Sequence, residues 1–169
     1  HLDRISVFNS CGDYLHHWGK HGSSDGLLDG PSGLAFDSKD NLYVVDQNNH
    51  RVQKFTANGE YQLQWGKEGD RDGELNLPWG IAVDNEDSVY VADWRNDRVQ
   101  KFTPDGTFLK TFGGSGCDEG QFSRPAGVAV DNEGYLYVAD WGNERVQVMD
   151  PDGRFVLMLR GQATESKWA

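Results

Sequence analysis

The sequence has little of what several classes of protein depend on. It contains 2 cysteines in 169 residues, and their positions do not match the spacing of a structural metal site. No apolar run approaches the ~20 residues that a membrane-spanning helix needs. No stretch keeps a helical apolar period, because glycine and asparagine recur too often for a helix of useful length. We therefore expect no membrane insertion and no helical core.

Positive charge is also scarce. The chain has 16 lysine and arginine residues against 27 aspartate and glutamate residues, which gives a formal net charge of −11. Proteins that bind nucleic acids neutralise phosphates with lysine and arginine, so an acidic surface repels such a partner. The charge balance therefore disfavours DNA and RNA as ligands.

What the sequence does contain is a repeat with a period of 47 residues. The residues that recur at this interval are Pro31, Pro78 and Pro125; Gly33, Gly80 and Gly127; Asp37, Asp84 and Asp131; Tyr43, Tyr90 and Tyr137; Asp46, Asp93 and Asp140; and Arg51, Arg98 and Arg145. The head of the chain follows the same period, since Arg4 aligns with Arg51 and Trp18 aligns with Trp65. A fixed period of this length indicates an array of equal supersecondary units.

Each unit is predicted to contain four short strands. In the copy that begins at Pro78, the segments 80–84 and 88–93 are apolar or alternating and flank an acidic turn, which predicts a hairpin. The segments 98–102 and 107–112 alternate apolar and polar residues around a Pro-Asp-Gly turn, which predicts a second hairpin. We label the four strands a to d in chain order. Four antiparallel strands repeated every 40 to 50 residues, roughly, are typical of β-propeller blades, so the predicted fold is all-β.

The recurring pattern resembles the NHL repeat. Pro-x-Gly leads into an apolar run that ends in Asp, followed by Tyr-Val-(Ala/Val)-Asp and then by Asn-x-Arg-Val-Gln, in three full copies and one partial copy. The resemblance implies a β-propeller of four-stranded antiparallel blades, and members of this family usually close six blades into a ring.

The repeat also predicts how the chain is divided. Residues 1–30 are expected to form a partial blade with strands c and d and a connecting loop, and residues 31–77 and 78–124 to form one blade each. Residues 125–169 are expected to form a further blade and a C-terminal tail, all within one domain or a fragment of one. About three and a half blades are then present. We expect the missing blades to come from the rest of a longer chain or from another chain.

Residues that recur in every blade are best explained by the architecture of the blade. An aspartate ends each strand b and an arginine begins strand c five residues later, so each pair is predicted to close across the intervening loop as a charge-assisted hydrogen bond. The predicted structural pairs are Asp46–Arg51, Asp93–Arg98 and Asp140–Arg145.

Residues that break the repeat are the candidates for function. In a propeller, the loops from strand d to the next strand a and from strand b to strand c emerge on one face, here called the top face. The irregular residues predicted to lie on it are Trp79, Trp94, Arg95, Asp97, Trp141 and Glu144. Tryptophan and arginine dominate interface hot spots, so we predict that this set binds a protein or peptide, with a glycan as a further option. The alternative is that Trp94 and Trp141 only lie flat on the neighbouring blade.

An enzymatic function is the main competing hypothesis. The resemblance extends to propellers such as the amidating lyase that acts on peptidyl-hydroxyglycine and several lactonases, which use metal-binding residues on the central face. In this chain the slot after the proline, where a zinc-binding histidine of the lyase type would be sought, holds Ser32, Trp79 and Ala126. We therefore assign no catalytic residue, cofactor or metal ligand, and we expect a non-catalytic scaffold. A metal-dependent lyase or hydrolase and a structural subunit of a larger complex are the alternatives.

Overall fold

The computed structural model describes residues 2–160, which form fourteen β-strands. The strands are β1 (Ile5–Phe8), β2 (Tyr14–Trp18), β3 (Pro31–Phe36), β4 (Leu42–Asp46), β5 (Arg51–Phe55), β6 (Tyr61–Trp65), β7 (Ile81–Val83), β8 (Val89–Asp93), β9 (Arg98–Phe102), β10 (Phe108–Phe112), β11 (Pro125–Val130), β12 (Leu136–Asp140), β13 (Arg145–Met149) and β14 (Phe155–Arg160). Short 3-10 turns lie at Gln47–Asn49, Trp94–Asn96 and Trp141–Asn143.

The strands form one two-stranded and three four-stranded antiparallel sheets. β1 pairs with β2, and the strands β3 to β6, β7 to β10 and β11 to β14 each form a sheet in which neighbours in sequence are neighbours in space. Each four-stranded sheet is one blade with strands a to d in order, so the predicted all-β architecture is confirmed. Strand a of the middle blade is shorter than predicted, because Trp79 and Gly80 both hydrogen-bond to Ala92 and so interrupt the regular ladder.

The aspartate that ends strand b and the arginine that begins strand c form a buried ion pair in each full blade. The Nε–Oδ2 distances are 2.7 Å for Arg51–Asp46, 2.8 Å for Arg98–Asp93 and 2.7 Å for Arg145–Asp140. Each pair also fixes the loop that leads into its blade. In the middle blade, Asp93 accepts a hydrogen bond from the backbone N–H of Asn76, while Arg98 donates to the carbonyl oxygens of Arg71 and Glu74.

Aromatic side chains at the ends of the d strands fill the space between blades. Trp18 packs on Phe55 and Trp65 packs on Phe102, with ring centroids 4.9 and 5.7 Å apart. At the a strands the backbones themselves approach each other, since a Cβ on Gly33 would lie 2.5 Å from the carbonyl oxygen of Trp79 in the next blade. Glycine at this position is therefore required by the proximity of two backbones.

At the two ends of the array, apolar residues are exposed at positions that are buried in the middle of the array. Leu159 occupies the position of Trp65 and Phe112 in the earlier blades, yet it is 59% exposed whereas they are 9% and 3% exposed. At the other end, Leu34 is 50% exposed while its equivalent Ile81 is 8% exposed. Within residues 2–160, no further strand pairs with the free edge of β1. Leu159 lies in the last sheet, whereas Leu34 lies in β3 beside the two-stranded sheet, which has no counterpart of strands a and b in the part of the chain that the structure describes. Both ends of the array thus present apolar surface that a neighbouring blade covers elsewhere in the chain.

Asp93→Ala is expected to lower the free energy of unfolding by roughly 3 to 5 kcal/mol, because it leaves the Arg98 guanidinium buried without its partner. Denaturant unfolding of both proteins measures the difference. The matched control is Asp72→Ala, which removes an exposed aspartate from the loop into the same blade and should cost less than about 0.5 kcal/mol. A shift in melting temperature of under about one degree for D93A would show that the pair does not hold the blade together.

The uncovered end sheets lead us to expect that the 169-residue chain, expressed alone, does not persist as a free monomer. An open strand edge and an exposed apolar face favour pairing with another chain. Sedimentation equilibrium over a series of concentrations measures the association. A stable 18.9 kDa monomer at every concentration would contradict the inference that further blades cover these sheets.

Candidate functional site

The top face is built from the turns between strands b and c and the loops between strands d and a. In each full blade, strand b is followed by a 3-10 turn and then by one residue in the left-handed conformation. These residues are His50, Asp97 and Glu144, with φ of 54°, 53° and 51°. The first residue of each turn directly follows the buried aspartate. The positions of Trp94 and Trp141 are therefore set by the ion pairs next to them in the chain.

Three indoles from two adjacent blades converge on one apolar cavity. We call this cavity the tryptophan pocket; it has a volume of about 230 Å³ and is lined by Trp79, Trp94, Ala126 and Trp141. Trp79 and Trp141 are 45% and 61% exposed, and Trp94 is half-buried. The ring centroids of Trp79 and Trp94 lie 5.9 Å apart at an interplanar angle of 52°. The indoles therefore face an open cavity and are not sealed between blades.

Backbone hydrogen bonds hold Trp79 on both sides. Its N–H donates to the carbonyl oxygen of Ala92 at 2.9 Å, and its carbonyl oxygen accepts from the Ser32 hydroxyl of the preceding blade at 3.0 Å. Ala126 occupies the equivalent position in the next blade, where its small side chain leaves room for the cavity. The side chain at this repeat position thus differs in role between blades. Ser32 hydrogen-bonds to the next blade, whereas Trp79 and Ala126 line the cavity.

Two arginines lie over the ring of Trp94, one of the three tryptophans that line the pocket. The guanidinium carbons of Arg95 and Arg124 are 5.8 and 5.3 Å from the ring centroid of Trp94, within the range of a cation–π interaction. Arg124 is not among the residues predicted to bind a partner. It could have been found by the same criterion as the others, because the equivalent positions hold Gly30 and Leu77.

Asp97 makes hydrogen bonds within the protein. Its carboxylate accepts from the backbone N–H of Arg124 at 2.7 Å and from the Ser115 hydroxyl at 2.8 Å. His50 accepts from the backbone N–H of Leu77 in the same way, so this position links consecutive blades. Asp97 therefore orients Arg124 and does not line the tryptophan pocket.

Glu144 occupies the same repeat position in the last described blade. It is exposed and lines a more open cavity of about 420 Å³, which adjoins the tryptophan pocket through Ala126 and Trp141. Apart from Asp97, the predicted binding residues therefore fall into two groups. Trp79, Trp94, Arg95 and Trp141 lie at or over the tryptophan pocket, and Glu144 lies at its far side.

A group of side chains able to ligate a metal lies at the junction between the partial blade and the first full blade. His21 Nδ1 is 3.0 Å from Asp3 Oδ2 and 4.0 Å from Asp29 Oδ1. A hydrogen bond from the backbone N–H of Gly30 is the main cause that keeps the pKa of Asp3 below its ordinary value, against the effect of burial. Sequence spacing does not reveal the group, because the three residues belong to separate segments of the repeat.

At an equivalent junction between later blades, different residues occupy the same repeat positions. Ser115 and Asp97 occupy the positions of His21 and Asp3, and the Ser115 hydroxyl donates to Asp97. The contact between His21 and Asp3 is thus one instance of a side-chain hydrogen bond that recurs at this position and joins neighbouring blades.

Among residues 2–160, no helix is both long and apolar enough to cross a membrane.

The radial series of four-stranded antiparallel sheets defines an arc of a β-propeller. The chain belongs to the family of NHL-repeat β-propellers, because the family model described as NHL repeat matches residues 28–55, 75–102 and 122–149. Each match spans strands a, b and c of one blade together with the end of the loop that precedes it. No curated protein sequence matches the chain.

Solved structures show the same fold at low sequence identity. A streptogramin B lyase is 15% identical, with a TM-score of 0.69 over 94% of this chain and 48% of its own. A chain from the crystal structure of a nidogen/laminin complex is 24% identical, with a TM-score of 0.62 over 76% of this chain and 48% of that chain. A protein of unknown function from Bacteroides thetaiotaomicron is 24% identical, with a TM-score of 0.71 over 96% of this chain and 43% of its own. The chain therefore spans about half the length of the propellers it matches.

Proposed function

We propose that this chain is part of a non-catalytic propeller scaffold that binds a protein or peptide through the tryptophan pocket. The observation that carries the proposal is the convergence of Trp79, Trp94 and Trp141 on one apolar cavity at positions where the repeat is not kept. Indoles supply a large apolar contact area, and they dominate the energy of protein interfaces when they are desolvated by a partner.

The rigid backbone that carries these tryptophans increases the affinity that they can provide. The backbones of the pocket are held by the buried ion pairs of their own blades and by hydrogen bonds between blades. Little conformational entropy is then lost when a ligand docks, so more of the contact energy appears as affinity. A propeller of similar fold was solved within a complex of nidogen and laminin, and its presence in a protein–protein complex supports a binding role here.

A protein side chain fits the pocket better than a flat sugar ring does. Trp79 and Trp94 meet at 52° and enclose a recess together with Trp141. A recess favours an inserted side chain, whereas a glycan would stack on a flat indole face. We therefore favour a protein or peptide over a glycan as the ligand.

Replacing Trp94 and Trp141 together by alanine is expected to abolish peptide binding while the melting temperature stays within a few degrees of the parent. The ligands for this test are peptides selected from a random library displayed on phage against the parent chain. Their affinity, measured by calorimetry, should fall by more than about thirtyfold, the loss expected when a hot spot worth 2 kcal/mol or more is removed.

Leu109→Ala is the matched control for this double variant, because Leu109 is a 48% exposed apolar residue on an outer strand of the same blade as Trp94. It should keep the parent affinity. If W94A/W141A binds the selected peptides as well as the parent does, the pocket is not the binding site. If it loses its fold, the indoles serve packing between blades.

The group formed by Asp3, His21 and Asp29 is the observation that favours the alternative of a metal-dependent lyase or hydrolase. We expect no specific binding of Zn²⁺ there, because the oxygens of Asp3 are already engaged by Gly30 and His21. Thermal melts with and without Zn²⁺ test whether the ion binds. They compare the parent with His21→Ser, a variant that installs the serine found at the equivalent position 115. A Zn²⁺-dependent rise in melting temperature that H21S removes would support the metal alternative instead.

The uncovered end sheets support the further alternative of a structural subunit in a larger complex. We propose that the strands a and b lacking from the described part of the partial blade cover Leu34 and that a further blade covers Leu159, each supplied by the rest of a longer chain or by another chain. This role is compatible with a binding pocket on the top face, because the end faces and the top face are separate surfaces.

A further inference from the structure

The tryptophan pocket is flanked by positive charge in a chain that is acidic as a whole. The net charge is −11, yet Arg95 and Arg124 both lie over Trp94 at the edge of the pocket. Both arginines are exposed. Within residues 2–160, neither guanidinium forms an ion pair, whereas Arg51, Arg98 and Arg145 are each paired with a buried aspartate.

The cation–π contacts with Trp94 leave the N–H groups of these arginines available for hydrogen bonds. A guanidinium is planar and carries five N–H donors in its plane, so contact of its face with an aromatic ring does not consume them. Two such groups beside one pocket form a site for a carboxylate, which a guanidinium binds through two parallel hydrogen bonds. The Asp97 carboxylate holds the backbone of Arg124 in place, so at least one of these two groups is positioned in advance.

The size of the pocket limits what it takes. About 230 Å³ is smaller than the 300–1,000 Å³, approximately, of typical small-molecule sites, so the pocket fits one large apolar side chain and not a whole cofactor. Its lining of three indoles and one alanine offers almost no polar partner. The polar part of the ligand must therefore lie outside the pocket, where the arginines are.

A cation is the ligand that three tryptophans would otherwise suggest. Aromatic cages bind quaternary ammonium groups through the faces of their rings. Here two guanidinium groups already lie over Trp94, and they repel a further positive charge. Two acidic side chains are nearby. The Asp97 carboxylate is engaged by the backbone N–H of Arg124 and by the Ser115 hydroxyl, and Glu144 lies beyond Trp141 in the adjoining cavity. The charge at the pocket itself therefore selects against a cationic ligand.

We propose that the occupant of the tryptophan pocket is a peptide segment in which a large apolar side chain enters the cavity and an adjacent carboxylate binds Arg95 and Arg124. This inference rests on the proposed function and adds the chemistry of the ligand to it. The carboxylate belongs either to an acidic side chain next to the apolar residue or to the C-terminus of the partner.

Four capped or uncapped peptides distinguish these possibilities. Three carry a central Phe flanked by Glu, Gln or Lys on both sides with blocked ends, and a fourth, with neutral flanks, ends in Phe with a free carboxylate. Affinities are measured by calorimetry at low and high salt. The Glu peptide or the free-acid peptide should bind about tenfold more tightly than the Gln peptide, as expected for hydrogen bonds to a charged group. This preference should shrink at high salt. The tighter of the two identifies the source of the carboxylate.

The variant Arg95→Gln/Arg124→Gln should remove the preference for a carboxylate and leave the affinity for the Gln peptide within about twofold, because the apolar contact remains. The control is Arg154→Gln, which removes an exposed arginine from the turn between strands c and d of another blade and should keep the preference. Circular dichroism checks that both variants remain folded.

Each contrary outcome overturns a defined statement. Equal binding of the Glu, free-acid and Gln peptides overturns the role of the arginines, and the proposed function still stands if W94A/W141A loses all of them. Tightest binding of the Lys peptide overturns the inference in favour of a cation cage. If no peptide binds at millimolar concentration, the inference fails, and the library selection decides the proposed function separately.

Discussion

A buried carboxylate that must be neutralised where strand b ends is the constraint on which each blade depends. Burial raises the pKa of Asp93, and hydrogen bonds from the backbone N–H of Asn76 and from the side chains of Asn96 and Arg98 oppose the shift. A charge held away from water is costly unless it is fully paired, so strand b, strand c and the incoming loop have one arrangement that satisfies all of these groups. The same set of contacts recurs at Asp46 and Asp140, which is why the blades are alike.

This constraint also explains why the variable residues lie where a partner can reach them. The residue after the aspartate begins a tight turn on the top face, and its side chain takes no part in the ion pair. Glutamine stands here in one blade and tryptophan in the other two, while the turns end in the same left-handed conformation, with φ of 54°, 53° and 51°. A pocket made from such positions combines a fixed frame with side chains that are open to change.

The period of 47 residues was enough to predict the all-β fold and the four-stranded antiparallel sheets, because every unit must bury the same faces. The position of the indoles on one face followed from the topology of the turns. Their convergence did not, since Trp79 and Trp94 belong to one blade and Trp141 to the next, and the distance between blades is a property of packing. Arg124 was not predicted, because it lies in the loop between strands d and a, outside the turns after strand b and the slot after the proline that hold the predicted residues. The group of Asp3, His21 and Asp29 was missed because it forms only when two blades meet.

The close approach at Gly33 ties the shape of the pocket to a blade that contributes no wall to it. A methyl group there would overlap the carbonyl oxygen of Trp79, and backbone atoms cannot rotate away as the end of a flexible side chain does. Any substitution at this glycine would therefore shift the indole of the adjoining blade. Inherited changes at such a position would alter the shape of the pocket from a distance, and a comparison restricted to pocket-lining residues would overlook them.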